Sequence, residues 1–264
     1  MRVLKHEPDG TVVLEAGGRT VCKKFHTNDI GHSRELALRE YHRMAAYHNV
    51  LDSVDYATCP RSIEVGLGDE PYVRMEAARG IPLQDLLNSR QWKHELYDHV
   101  ATVLAQALVA YVDHFAEPYW DFIFRNMFYA EEERLVTLLD FGIPRLYLPV
   151  MAELVQLPPL EVSLGSLVAS SVFESARPKH LRRQREHRRA PILAALVLAR
   201  VQDLRSVDAV RPDVVVHVAR TAYRLASGHG GVARRVWYRT CGRAFARPAT
   251  KFARFRQAAR PGAG

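Results

Sequence analysis

Two short segments hold the residues whose types and spacing could do chemistry. In Asp121-Phe-Ile-Phe-Arg-Asn126 a carboxylate and a carboxamide lie five positions apart. Fourteen positions after Asn126 comes Asp140-Phe141-Gly142, preceded by the mostly apolar run Val136-Thr-Leu-Leu139. A carboxylate can orient a hydroxyl and take its proton. A second carboxylate and an amide oxygen are the hard donors that Mg2+ prefers. Transfer of a phosphoryl group needs those parts, a cation on the nucleotide phosphates, and little covalent help from protein. Two lysines stand side by side in Thr20-Val-Cys-Lys23-Lys24-Phe25. Period-2 alternation puts Val21, Lys23 and Phe25 on one face, which selects Lys23 and leaves Lys24 as its solvent-facing neighbour.

The elements that would position these groups change character along the chain. Asp9-Gly10 and Gly17-Gly18 are hairpin signals. They separate expected strands at Arg2–Lys5, Thr11–Glu15 and Thr20–Phe25. From Ser33 to Tyr47 the pattern predicts a helix with Ser33 as N-cap. Its acids include Glu35 and Glu40. Short strands are expected near 61–65 and 72–75, then a short helix over 83–88 and a long one over 97–115. The long helix carries Val100, Val103, Leu104, Ala107, Leu108 and Tyr111 at the spacing of a buried stripe. Phe124–Tyr129 and Leu135–Asp140 read as two strands joined by the charged turn 131–134. Beyond about Leu160 the chain reads as helical, with breaks at Pro178, Pro191 and 228–231.

Together the motifs, in this order and context, resemble the protein-kinase superfamily, whose catalytic loop reads D-x-x-x-x-N and whose metal motif is D-F-G. The segment Tyr72-Val-Arg-Met75-Glu76-Ala-Ala78-Arg-Gly80-Ile-Pro-Leu-Gln-Asp-Leu-Leu87 looks like the hinge of aminoglycoside phosphotransferases and lipopolysaccharide core kinases. The resemblance spans about residues 11–175. It implies an α+β, bilobal protein-kinase-like fold: a small β-rich N-lobe at 1–76, a mainly helical C-lobe at 77–230 with the catalytic loop, and a basic tail at 231–264. It further implies that Lys23, paired with Glu40 or alternatively with Glu35 nearer the helix start, holds the α- and β-phosphates of ATP. Backbone groups around Glu76–Ala78 would meet the adenine edge, with Met75 at the back of the pocket. Asn126 and Asp140 would ligate Mg2+, and Asp121 would serve the acceptor hydroxyl.

The sequence departs from the family at defined places. Glu7-Pro-Asp-Gly10 has one glycine where protein kinases have a glycine-rich loop. Tyr119-Trp120 stands where His-Arg precedes the catalytic aspartate. Glu161-Val-Ser163-Leu-Gly165-Ser-Leu167 resembles the family's D-L-G-x-L helix with Ser163 at the aspartate position. No A-P-E follows Asp140-Phe-Gly142. His114, seven residues before Asp121, is expected to pack beneath the loop, and Cys22 to be a small buried hydrophobe. Losses in docking and regulatory parts with the chemical parts kept favour a sugar, glycolipid or other small molecule as phosphate acceptor. A Ser/Thr protein kinase, or a catalytically weak pseudokinase serving as a scaffold, are the alternatives.

Composition sets the surroundings. The formal charge of the 264 residues is +8, yet 231–264 holds nine basic and no acidic residues, leaving 28 basic against 29 acidic elsewhere. Arg235, Arg239, Arg243, Arg247 and Lys251 recur every four positions among Trp237, Phe245, Phe252 and Phe255. On a helix that makes a cationic stripe beside aromatics, suited to an anionic membrane surface; nucleic acid is not the expected partner. A second basic run occupies 177–189. The first residues lack a signal-peptide core, and Cys22, Cys59 and Cys241 form no metal-binding spacing. The expected location is therefore cytoplasmic, with peripheral membrane contact through the tail.

Overall fold

The computed structural model describes residues 2–7, 10–89, 91–175, 189–205 and 210–228. The basic tail, Pro178 and nearly all of the 177–189 run lie outside the described residues. The chain is α+β: an antiparallel-sheet-rich N-terminal part precedes a helical C-terminal part. It divides into two compact units, Met1–Ile81 with Met127–Gly142, and Pro82–Asn126 with Ile143–Gly264.

In the first unit, β1 (Arg2–Glu7), β2 (Gly10–Leu14), β3 (Thr20–Phe25), β5 (Ser62–Gly66) and β6 (Tyr72–Glu76) form an antiparallel sheet in the order β1-β2-β3-β6-β5. The strands fall where the alternation and turn signals put them. Lys23 pairs with Val12 on one side and Val73 on the other, so it stands on a central strand. Val21 and Phe25 are buried on its face.

Between β3 and β5 runs α1 (Ile30–Leu51), followed by β4 (Ala57–Thr58). The helix begins one turn before the expected start. Asp29 is its N-cap, accepting from the Gly31 N–H through Oδ1 at 2.8 Å. Ser33 is inside the first turn and buried, where its Oγ accepts from the Thr27 N–H at 3.0 Å. Both residues are good caps, and the earlier one wins because it can satisfy the amide at the true helix start. The inward stripe is Ser33, Ala37, Glu40, Met44, Tyr47 and Leu51, spaced by three and four.

A second sheet in this unit has the order β4-β9-β8-β7, with β7 at Ile81–Pro82, β8 at Met127–Ala130 and β9 at Leu135–Leu138. β4 runs parallel to β9, and the Val136 N–H donates to the Tyr56 carbonyl at 2.8 Å. That pairing ties the hairpin to the N-terminal unit. Gly80 has φ 89°, and a Cβ there would lie 2.1 Å from the Tyr129 carbonyl oxygen. Only glycine fits both the dihedral and the approach.

The second unit holds α2 (Leu83–Leu87), α3 (Leu96–Phe115), α4 (Met151–Leu154), α5 (Pro159–Ser175), α6 (Arg189–Arg205) and α7 (Pro212–Gly228). The expected α3 stripe is buried throughout. Ion pairs Arg200–Asp98 and Arg205–Asp113 join α3 to α6, and Arg189 donates to the carbonyls of Leu87 and Ser89. Pro191 does not break the chain; it lies in the first turn of α6, where its missing N–H would have no helical partner. Helices α5 and α7 meet closely at Gly165, where a Cβ would come within 2.5 Å of Val218 Cβ and 3.1 Å of the Val215 carbonyl oxygen. Neither atom is the end of a flexible side chain, so Gly165→Ala must separate the helices. We expect it to cost about 1–3 kcal/mol by overpacking, read as a lower chemical-denaturation midpoint with an unchanged slope.

Among the described residues no helix is long and apolar enough to cross a membrane.

Candidate functional site

The expected residues gather in two clusters, one in each unit. In the first unit Lys23 Nζ donates to Glu40 Oε1 at 3.0 Å and to Asp140 Oδ1 at 3.0 Å. Three stretches far apart in sequence thus converge on one ammonium. Glu40 is buried in the α1 stripe at a position where an apolar side chain would pack, and only a fixed cation makes that tolerable. Glu35 is exposed, with its carboxylate 3.8 Å from His32 Nδ1, so Glu40 is the acid that meets the lysine. Lys24 turns the other way and pairs with Glu70.

The electrostatics follow from the geometry. Burial disfavours the Lys23 ammonium, but Asp140 and Glu40 outweigh it and hold its pKa well above that of an ordinary lysine. Burial raises the Glu40 carboxyl, with Lys23 opposing that rise. The Phe25 ring centroid lies 5.5 Å from Nζ, a further contact favouring the cation.

Asp140 follows β9 and has φ 64°, an uncommon backbone conformation for a residue with a Cβ. Phe141, next to it, is fully enclosed. Met75 is buried on β6, opposite Val21 of β3. The Glu76 N–H donates to the Arg61 carbonyl at 3.0 Å and the Ala77 N–H to the Arg19 carbonyl at 2.9 Å. Those two donors are spent within the protein.

In the second unit the segment Tyr119–Asn126 is pinned by its own aromatics. Tyr119, Trp120, Phe122 and Phe124 are all buried, and Tyr119 stacks on Tyr111 of α3 with centroids 4.8 Å apart. The expected strand start at Phe124 is instead a single 3-10 turn, Phe124–Asn126, closed by Asn126 N–H to the Ile123 carbonyl at 3.0 Å. The turn brings Asn126 back onto Asp121: Nδ2 donates to Asp121 Oδ2 at 2.6 Å and to the Asp121 carbonyl at 3.2 Å. Arg125 Nη2 lies 3.9 Å from Asp121 Oδ2, with its side chain nearly half exposed. Sequence reasoning passes over Arg125, although its place four residues after Asp121 is a signal for an ion pair.

The Tyr119 N–H donates to Ser163 Oγ at 2.9 Å, and that hydroxyl in turn donates to the Pro159 carbonyl at 2.8 Å. A buried serine thus holds the main chain two residues before Asp121. One helical turn on, Ser166 Oγ lies 3.0 Å from the Tyr147 hydroxyl; burial pushes that phenol up to about 12. His114 is exposed, edge-on to Phe115, and does not pack beneath the loop. Cys22 is only half-buried. Replacing Ser163 by alanine strands the Tyr119 N–H in a dry environment. The expected cost is about 1–3 kcal/mol, measurable as a drop in melting temperature, whereas Ser163→Thr keeps the acceptor and most of the stability.

Taken unit by unit, the oxygen donors present are of the kind a hard cation takes. Asp140 offers carboxylate oxygens, and both Asn126 contacts to Asp121 use Nδ2, so its amide oxygen is not spent there. Among the described residues no three His, Cys, Asp or Glu side chains form a metal cage of their own.

No protein-family model matches this chain, and no curated protein matches its sequence.

Proposed function

We propose that this chain is an ATP-dependent phosphotransferase of protein-kinase-like fold, moving the γ-phosphoryl group of Mg·ATP to a hydroxyl of a sugar, glycolipid or other small molecule. The observation that carries the proposal is the single ammonium of Lys23 bridging the buried Glu40 and the half-buried Asp140 at 3.0 Å each. A half-buried central-strand lysine with two acidic partners is costly to assemble. It yields a fixed cation beside a carboxylate, which is what a magnesium nucleotide needs.

In this assignment Lys23 binds the α- and β-phosphates while Glu40 keeps its side chain extended toward them. Asp140 and Asn126 would hold Mg2+, which when bound neutralises charge on the phosphate oxygens. Asp121 accepts the proton of the acceptor hydroxyl as the new O–P bond forms, the bond to the bridging oxygen breaks, and ADP leaves. Asn126 fixes the orientation of the Asp121 carboxylate through its 2.6 Å hydrogen bond. The sugar or glycolipid acceptor, the cytoplasmic location and the anionic membrane contact of the 231–264 segment belong to the same proposal.

Titration with Mg·ATP tests it by thermal shift. A protein that binds nucleotide gains about 2.7 kcal/mol at a hundredfold excess over Kd, a rise of roughly 5–10 °C for a chain of this size. An unchanged melting temperature at millimolar Mg·ATP contradicts the proposal. Binding without turnover of any acceptor would instead identify a scaffold that keeps the nucleotide site. The single-glycine first turn and the Tyr119-Trp120 pair favour that second possibility.

A further inference from the structure

The face of α1 that carries Glu40 continues into contacts the proposed mechanism does not use. Three residues beyond Glu40, Arg43 Nη1 donates to the Phe141 carbonyl oxygen at 3.2 Å. Four residues further, the Tyr47 ring meets the Phe141 ring edge-on, with centroids 5.3 Å apart and planes at 79°. Tyr47 and Phe141 are fully enclosed, and Arg43 is half-buried. Spacings of three and four stack Glu40, Arg43 and Tyr47 along one side of the helix.

Asp140 immediately precedes Phe141 and has φ 64°. A left-handed conformation is unfavourable for a residue with a Cβ and persists only where its surroundings impose it. Two anchors do so here. On one side Lys23 holds the Asp140 carboxylate at 3.0 Å. On the other, the next residue is held at both ends: its carbonyl by Arg43, its ring by Tyr47. With Phe141 fixed, the Asp140 backbone cannot relax without breaking the Arg43 hydrogen bond or unseating a buried ring. The Arg43 guanidinium is half-buried, so solvent screens its hydrogen bond to that carbonyl only in part. Its charge also favours the ionised form of the neighbouring Glu40.

We propose that Arg43 is a positioning residue for Asp140: with Tyr47 it clamps Phe141 at carbonyl and ring, and so keeps the Asp140 carboxylate set for a magnesium nucleotide. This rests on the phosphotransferase assignment above. The consequence is a separation of roles on one helix. Glu40 governs the lysine and hence nucleotide phosphates, whereas Arg43 governs the aspartate and hence the metal dependence of binding.

Calorimetric titration of ATP into the full chain, once with Mg2+ and once with EDTA, separates these roles. Wild type should bind more tightly with Mg2+. Arg43→Met should lose most of that gain, about 10- to 100-fold as for residues that orient a metal ligand, while its affinity in EDTA stays near wild type. Asp140→Asn should show the same split. Arg43→Lys, with a single-point donor, should show it at smaller size, and it replaces Arg43→Met where the latter is too unstable to titrate. The proposal is overturned if Arg43→Met, or Arg43→Lys in its place, keeps the full Mg2+ gain, or loses affinity equally in both buffers, as a merely structural residue would. Equal wild-type affinity in the two buffers overturns it as well. A wild type that binds no nucleotide in either buffer overturns the phosphotransferase assignment itself, and this inference with it.

Discussion

Asp121→Asn should lower the rate of phosphoryl transfer by about 10²–10⁴-fold while nucleotide affinity changes little. The two halves of that expectation come from different features. Asparagine is isosteric and can still receive the 2.6 Å hydrogen bond from Asn126 Nδ2 through its amide oxygen. The loop is held by four buried aromatics and by the Tyr119 amide on Ser163, none of which the substitution touches. What disappears is the ability to take a proton. Single-turnover rates against equilibrium ATP affinity make the comparison. An equal loss in both would mean that Asp121 supports the loop and has no part in the reaction.

Lys23→Met should produce the largest combined effect, on nucleotide affinity and on stability. Methionine approximates the length of the lysine stem but leaves Glu40 and Asp140 facing one another without the cation that each contacts at 3.0 Å. Breaking a buried pair by removing one partner costs about 3–5 kcal/mol; the lysine head is one-fifth exposed, so the lower end applies. The loss should depend on pH. Burial and Asp140 raise the Glu40 carboxyl and Lys23 opposes them, so without Lys23 the carboxyl rises further. A carboxyl raised in the folded state stabilises fully below its unfolded value, and that stabilisation is lost as pH climbs through the folded one. The variant should therefore be closest to wild type near about pH 4 and fall progressively behind toward about pH 8. Paired melting curves across that range check the sign. A stability gap constant with pH would show that Glu40 does not carry the uncompensated charge.

Much of this arrangement is legible in residues 20–25 and 33–47. Strand alternation alone separates Lys23 from Lys24, because β3 is central and has two distinct faces. The choice of Glu40 over Glu35 comes from the resemblance, and the structure puts Glu40 in the buried stripe of Ala37, Met44 and Tyr47 and leaves Glu35 outside it. Helical spacing places Arg43 beside Glu40, but nothing in the sequence shows that its target is a main-chain carbonyl a hundred residues away. Backbone acceptors leave no trace in residue type. Ser163 illustrates the point from the other side: a short hydroxyl can hold the Tyr119 amide, so the missing aspartate does not remove the anchor. The helix start at Asp29 and the 3-10 turn at Phe124–Asn126 were hidden for a local reason. Each competes with another signal nearby, Ser33 as a cap and the aromatic and apolar residues of 124–129 as a strand. The Gly80 and Gly165 requirements are set by a neighbouring backbone and a neighbouring helix, which sequence spacing cannot reveal.

The most direct measurement follows the γ-phosphate itself. ATP labelled at that position is incubated with Mg2+, the purified chain, and separated lipid, polysaccharide and protein fractions of cells. Wild type should place label in the polysaccharide or lipid fraction and Asp121→Asn should not. No label above background in any fraction with wild type, or the same labelling with both proteins, would contradict the assignment of Asp121, Lys23 and Asp140 to phosphoryl transfer.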